Sequence, residues 1–144
     1  MNQDKPARAI LAARHAALAE GVRSLLAFSF QEVCVVADLE SLQEGARSLQ
    51  PNLIVVDLPL AGNTAPEILR IVRSVSPRAP VIVLTVYDQA TVARVALDAG
   101  AQGVVLRRTA GIDFLEAVEA VLRGGVYVSP GFGAAVEPSR RAPT

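Results

Sequence analysis

The chain has 144 residues, of which 51% are hydrophobic and 19% charged, a composition typical of one globular domain with its own core. Its 14 Lys and Arg residues balance its 14 Asp and Glu residues, whereas a domain that binds nucleic acid by the phosphates usually has a basic excess, so we expect no direct nucleic-acid binding by this segment. A single cysteine excludes an internal disulfide. The sequence shows neither a secretion-signal pattern nor an apolar run near the roughly 18 residues of a membrane span, so we expect a cytoplasmic protein that does not cross a membrane.

Five short apolar runs predict the strands of a parallel sheet. The runs are continuous rather than alternating, which is typical of strands that are buried on both faces. They occupy residues 9–12, 33–36, 53–56, 81–84 and 103–106.

A segment with helical periodicity follows each run. The second segment is expected to begin at a capping box over residues 41–44, and the third at another over residues 64–67. We expect Asp88 to cap the fourth segment. Apolar positions at helical spacing mark the first segment, at Leu18, Val22, Leu25 and Leu26, and the fifth, at Leu115, Val118, Val121 and Leu122.

Strand and helix thus alternate five times, which predicts an α/β fold. Right-handed βαβ units would form a doubly wound, five-stranded parallel sheet with five helices. We expect this domain to cover residues 8–128. Residues 129–144 are rich in Pro, Gly, Ala and Arg without periodicity, which is typical of a linker or a disordered C-terminal tail.

Polar side chains follow several of the predicted strands, at the edge where ligands bind in open parallel sheets. Asp57 follows the third run, Thr85 the fourth and Arg107 the fifth, while Arg14 and His15 lie just beyond the first. These residues would place one carboxylate, one hydroxyl and several cations in a small cleft. Taken alone, the pattern is equally typical of a solvated loop edge with a few ion pairs.

Several longer stretches resemble the receiver domain of response regulators. Residues 51–62 resemble the third strand and phosphoacceptor loop of that family, residues 81–85 its fourth strand, and residues 98–107 the approach to its site lysine. Residues 10–22 and 124–130 are similar to the first strand and helix and to the end of receivers of the NarL/FixJ, or LuxR-type, subfamily. The resemblance implies a CheY-like, flavodoxin-like sheet of strand order 2-1-3-4-5 and a role in phosphorelay signal transduction by a two-component system.

The resemblance also implies a degenerate phosphorylation site. Asp57 stands at the phosphoacceptor position and Thr85 at that of the switch hydroxyl. The two acids that help to hold Mg²⁺ in the family are replaced by Ala13 and Arg14, and no acidic residue lies between Asp4 and Glu20. The remaining replacements are Arg107 for the site lysine and Val104 for the switch aromatic. We therefore expect weak or absent Mg²⁺ binding, no cofactor and no enzymatic activity beyond acceptance of a phosphoryl group.

Two arginines are candidate partners of Asp57. Arg107 is the more direct one, because an arginine can reach the position of the lysine head. For Arg14 two alternatives stay open: its guanidinium pairs with Asp57 where Mg²⁺ would bind, or it points to solvent.

The function that this pattern favours is that of an atypical receiver acting as a protein-interaction or dimerisation module. Its expected partners are a second copy, a sensor histidine kinase or an output domain, and the candidate surface consists of the fourth helix, fifth strand and fifth helix. Relatives of this type continue into a DNA-binding domain for transcription regulation, which this chain does not include.

Three alternatives differ in chemistry. The domain could be a functional phosphoacceptor at Asp57, or a stand-alone adaptor with no output domain. A flavodoxin-like cofactor binder is disfavoured, because residues 13–17 offer no hydroxyl for a phosphate loop.

Overall fold

One parallel sheet of six strands organises the computed structural model, which describes residues 6–60 and 62–133. The strands are β1 (Arg8–Ala12), β2 (Glu32–Val36), β3 (Leu53–Asp57), β4 (Val81–Thr85), β5 (Gly103–Leu106) and β6 (Tyr127–Val128). Their order is β2-β1-β3-β4-β5-β6, so the predicted order of the first five is confirmed. The predicted number is wrong by one, because the two-residue β6 pairs with Gly103 and Val104 of β5 and is too short to leave a periodic pattern.

Helices cover both faces of the sheet. They are α1 (Ala16–Leu26), α2 (Leu39–Leu49), α3 (Ala65–Val75), α4 (Ala90–Asp98) and α5 (Ala110–Leu122). Alternate strand residues enter two separate cores: Ile54 and Val56 of β3 pack with α2, α3 and α4, whereas Leu53 and Val55 pack with α1 and α5. Burial on both faces accounts for the continuous apolar runs. No helix in the described part of the chain is long and apolar enough to cross a membrane.

The edge strand β2 departs from that rule. Its apolar run predicts burial on both faces, yet Val35 is exposed and Cys34 is only half-buried. Because β2 has a neighbouring strand on one side only, it covers the end of the core rather than its centre.

The helix starts test the predicted caps. At α3 the capping box is present: Thr64 Oγ1 accepts from the backbone N–H of Glu67 at 3.4 Å, and Glu67 Oε1 accepts from that of Thr64 at 2.9 Å. The predicted start of α2 at Ser41 is wrong, because Asp38 caps the helix by accepting from the Ser41 N–H at 2.7 Å. The cap predicted for α4 is also wrong: Gln89 occupies that position, and Asp88 pairs with Arg108 instead.

The C-terminal boundary lies later than expected. A short 3₁₀ turn, Pro130–Phe132, follows β6, and Ser129 and Phe132 are buried. Residues 129–133 are therefore part of the folded domain, whereas residues 134–144 of the predicted tail lie outside the described residues. In α5, the helical spacing groups Leu115 and Leu122 with Val118 and Val121, but both leucines are exposed. The buried stripe of this helix runs through Asp113, Phe114, Ala117, Val118 and Val121.

Candidate functional site

The carboxyl ends of three neighbouring strands bring the predicted site residues together. Asp57 ends β3, Thr85 ends β4, and Arg107 follows the last residue of β5. The register places Asp57 beside Leu84, and Thr85 beside Leu106. Because the strands are parallel, their polar ends meet at the same edge of the sheet.

Arg107 binds the carboxylate of Asp57 through both of its oxygens. The Arg107 Nη2 donates to Oδ1 and to Oδ2 at 2.8 Å each, and Nε donates to Oδ1 at 3.0 Å. Only 2% of the Asp57 side chain and 24% of the Arg107 side chain are exposed. Nη2 also lies 3.4 Å from the backbone oxygen of Leu58. The expected contact between Arg107 and Asp57 is therefore present.

Burial and pairing act in opposite directions on Asp57. Burial raises the pKa of this carboxyl above its ordinary value, because it disfavours the charged form. The hydrogen bonds and positive charge of Arg107, with a smaller contribution from His15, lower the pKa without offsetting burial. Arg107 is thus the main group that favours the ionised form of Asp57.

Within the described part of the chain, neither residue in place of the acid pair forms a hydrogen bond or an ion pair with Asp57. Ala13 is buried, and its N–H donates to the backbone oxygen of Val36 at 2.9 Å. Arg14 is exposed, and within residues 6–60 and 62–133 no hydrogen bond or ion pair joins it to Asp57. Its charge acts on Asp38, whose pKa is lowered mainly by the hydrogen bond from the Ser41 N–H and to a lesser degree by Arg14. Of the two alternatives for Arg14, the structure favours the solvent-facing one.

Thr85 and Val104 lie close to the site without joining the ion pair. The buried Thr85 hydroxyl oxygen accepts from the N–H of Tyr87 at 3.1 Å, and no hydrogen bond in the described ranges links it to Asp57. Val104 is fully buried and packs in the core that contains Val83. The roles that the resemblance assigns to Asp57, Thr85 and Val104 stay predictions.

Comparison with known proteins decides the family. The family model for the response regulator receiver domain matches residues 10–119. The chain belongs to this family. The receiver is similar to the methanol utilization control regulatory protein MoxX of Paracoccus denitrificans, with 31% identity over 129 residues that cover 86% of this chain and 57% of MoxX. It therefore spans little more than half the length of that relative.

Two further proteins place the receiver among NarL- and LuxR-type regulators. The nitrate/nitrite response regulator protein NarL of Escherichia coli (strain K12) is 28% identical over 145 residues, covering 99% of this chain and 67% of NarL. The crystal structure of a two-component response regulator of the LuxR family from Aurantimonas sp. SI85-9A1 superposes with a TM-score of 0.81 and 26% identity. That match covers 90% of this chain and 93% of the other.

A second polar cluster in the receiver escaped the sequence analysis. The buried Asp113 of α5 accepts from Ser129 Oγ at 2.7 Å and from the Tyr127 hydroxyl at 2.9 Å, while the Thr109 hydroxyl lies 3.3 Å away. Burial, followed by the neighbouring Asp113, raises the pKa of Tyr127 above its ordinary value. A signal was present in the sequence: Asp113 precedes Ala117 and Val121 at helical spacing, so its carboxylate falls on the apolar stripe of α5.

Proposed function

We propose that this receiver is a regulatory module of two-component signalling that works through protein contacts and does not depend on Mg²⁺-driven phosphorylation of Asp57. The observation that carries the proposal is the binding of both Asp57 oxygens by Arg107. A carboxylate held in this way is already neutralised, so it has little remaining attraction for a divalent cation.

The residues at this edge of the sheet do not fit Mg²⁺. This ion prefers octahedral oxygen ligands and usually reaches a protein through one or two carboxylates. Here Ala13 offers a methyl group, Arg14 brings a positive charge, and the carboxylate of Asp57 is engaged by Arg107. The donor set that the family uses for the ion is therefore incomplete in this chain.

The same geometry argues against efficient phosphoryl transfer to Asp57. Transfer needs preorganised positive charge at the oxygens of the moving group. Arg107 donates its hydrogen bonds to Asp57 itself and not to an incoming phosphoryl group, and Arg14 faces solvent rather than the site. The alternative of a working phosphoacceptor would require both arginines to turn toward the incoming group.

Exposed apolar side chains on α5 support a protein contact as the output. Ile112 is 86% exposed, and Leu115 and Leu122 are exposed as well. Their spacing of three and seven residues places them on one face of the helix. Val95 adds an exposed side chain on α4. These helices form part of the surface expected for a second copy, a sensor histidine kinase or an output domain.

The output of the whole protein is part of this proposal. Its relatives carry the names of regulators, among them the transcriptional regulatory protein DegU of Brevibacillus brevis, of which this chain covers 50%. We infer that the receiver controls a DNA-binding domain outside this chain. A stand-alone adaptor is the alternative, and the reading frame that surrounds this segment distinguishes the two.

A gain-of-function variant gives the sharpest test of the site. The triple variant Ala13→Asp, Arg14→Asp, Arg107→Lys restores the acid pair and the lysine, and circular dichroism checks that it folds. Both proteins are incubated with Mg²⁺ and acetyl phosphate, and intact mass is measured. We expect a phosphoryl adduct on the triple variant that is lost when Asp57→Asn is added, and none on the wild type. A Mg²⁺-dependent adduct on the wild type that disappears in Asp57→Asn contradicts the proposal.

A further inference from the structure

Leu106, the last residue of β5, is held by the segment that follows α5. We call residues 127–133 the C-terminal segment. The Leu106 N–H donates to Ser129 Oγ at 3.0 Å. Gly131 approaches so closely that a Cβ atom there would lie 2.4 Å from Leu106 Cδ1, so only glycine fits this position without a shift. Phe132 packs into the same core as Leu106.

Asp113 fixes the C-terminal segment to α5 and to the end of β5. Its Oδ2 accepts from Ser129 and Tyr127, and the Thr109 hydroxyl lies within reach of both Asp113 Oδ1 and the backbone oxygen of Leu106. A buried carboxylate that loses such donors pays a desolvation penalty, so the cluster is stable only when the segment is in place. The Leu106 N–H is therefore held by Ser129 of this cluster, and the Leu106 oxygen lies 3.4 Å from the Thr109 hydroxyl.

Arg107 follows Leu106 directly and carries the guanidinium that binds Asp57. Any displacement of the Arg107 backbone that accompanies release of Asp57 turns the peptide group that joins Arg107 to Leu106. That peptide includes the Leu106 oxygen near Thr109. Because this peptide group is closely packed and hydrogen-bonded, we expect it to take a few discrete positions rather than to shift gradually.

We propose that the Asp57–Arg107 ion pair and the C-terminal segment form one coupled unit, in which Asp113 and Ser129 are positioning residues. Loss of the ion pair loosens residues 127–133, and loosening of these residues weakens the ion pair. A change at Asp57 thereby reaches the chain that continues past Gly133. The coupling is independent of whether Asp57 is phosphorylated, so its failure would leave the proposed function intact.

Amide hydrogen exchange measured by NMR tests the first direction. Asp57→Asn acts on β3 and alters no residue of the C-terminal segment. We expect the Ser129 and Phe132 amides to exchange at least about five-fold faster in this variant, with amides of β2 as the internal reference for global stability. Unchanged exchange of both amides relative to β2 would overturn the proposal.

The reverse direction must show the same coupling, because linkage between two sites is reciprocal. Ser129→Ala removes the hydroxyl that joins Leu106 to Asp113, and Tyr127→Phe is a milder second variant in case the first folds poorly. In either variant we expect the Nε–H of Arg107 to exchange at least about five-fold faster. Ser48→Ala, which removes an exposed hydroxyl on α2, should leave this signal unchanged. A segment that loosens in either variant while the Arg107 Nε–H stays protected would contradict the coupling.

Discussion

Arg107 reaches both carboxylate oxygens of Asp57 from a single nitrogen, Nη2, at 2.8 Å each, across 50 residues of sequence. The two side chains differ in environment, since Asp57 is almost fully buried whereas Arg107 retains contact with solvent. Removing the arginine therefore leaves an unpaired buried charge, while removing the carboxylate leaves a cation that water can still solvate. Because of this asymmetry, we expect substitutions of Arg107 and of Asp57 to change the stability of the fold in different ways.

Arg107→Gln should destabilise the fold by about 1–3 kcal/mol near neutral pH, because it leaves the Asp57 carboxylate without its charged donor. The same change should raise the pKa of Asp57 further, since the two main causes that lower it are lost. A group with a raised pKa in the folded state contributes stability at low pH and loses it as the pH rises through that pKa. The cost of Arg107→Gln should therefore shrink at about pH 4.5, as measured by urea unfolding at the two pH values.

The matched control is Arg108→Gln. Arg108 pairs with Asp88 at 3.4 Å, with both side chains more than half exposed. Exposed pairs of this kind contribute little, so we expect a loss below about 1 kcal/mol. An equal loss for both variants, or a loss for Arg107→Gln that does not change with pH, would contradict this account of the pair.

Asp57→Asn should leave the protein at least as stable as the wild type at neutral pH. The raised pKa of Asp57 means that folding disfavours its charged form relative to the unfolded chain. A neutral amide of similar shape avoids that cost, and Arg107 stays partly solvated. Thermal unfolding at about pH 7 measures the difference. A clear drop in the unfolding temperature would show that the ion pair stabilises the fold more than burial opposes it.

The sequence predicted the positions of five strands because Val, Ile and Leu in continuous runs mark strands buried on both faces. Asp57 and Thr85 could be placed at one edge of the sheet from the strand order that the resemblance implied. The contact between Arg107 and Asp57 followed from the reach of an arginine side chain. The direction of Arg14 could not be predicted, because an exposed side chain after a strand has many rotamers and only the local packing selects among them.

Two further features, the N-cap of α2 and the buried carboxylate of Asp113, were not predicted from the sequence. Asp and Ser are both favourable N-cap residues, and whether Asp38 or Ser41 caps α2 depends on where β2 ends. The partners of Asp113 could not be predicted, because Tyr127 and Ser129 come from a segment without periodicity. The position of Asp113 on the apolar stripe of α5 indicates a buried carboxylate, but the helix sequence does not identify the hydroxyl groups that donate to it.

Phe132→Ala should destabilise the domain by about 2–4 kcal/mol, because the ring is 4% exposed and packs in the main core. Phe28→Ala is the matched control: the same ring is removed from a position that is 71% exposed, so we expect a change within about 0.5 kcal/mol. Urea unfolding of both variants measures the difference. A negligible loss for Phe132→Ala would show that residues 129–133 are not part of the folded unit.

Asp38→Ala should lower the unfolding temperature more than Ser41→Ala does, because the Asp38 carboxylate accepts the hydrogen bond from the backbone N–H of residue 41, which an alanine at position 41 retains. The pKa of Asp38 is lowered in the folded protein, mainly by that bond. Its stabilising effect is therefore present above the ordinary pKa of 3.8 and is lost as the pH falls through the lowered value. Thermal unfolding of both variants across the acid pH range measures the difference between them and its loss at low pH. A larger effect of Ser41→Ala than of Asp38→Ala would indicate that Ser41 is the N-cap of α2.

A titration with Mg²⁺ tests the central claim most directly, with binding followed by the NMR signals of Asp57 and its neighbours in the wild type and in the Ala13→Asp, Arg14→Asp, Arg107→Lys variant. We predict saturable shifts at millimolar concentration or below in the variant and no saturation in the wild type, because Arg107 holds both oxygens of Asp57. Saturable binding of Mg²⁺ at Asp57 of the wild type in the same range would contradict the account.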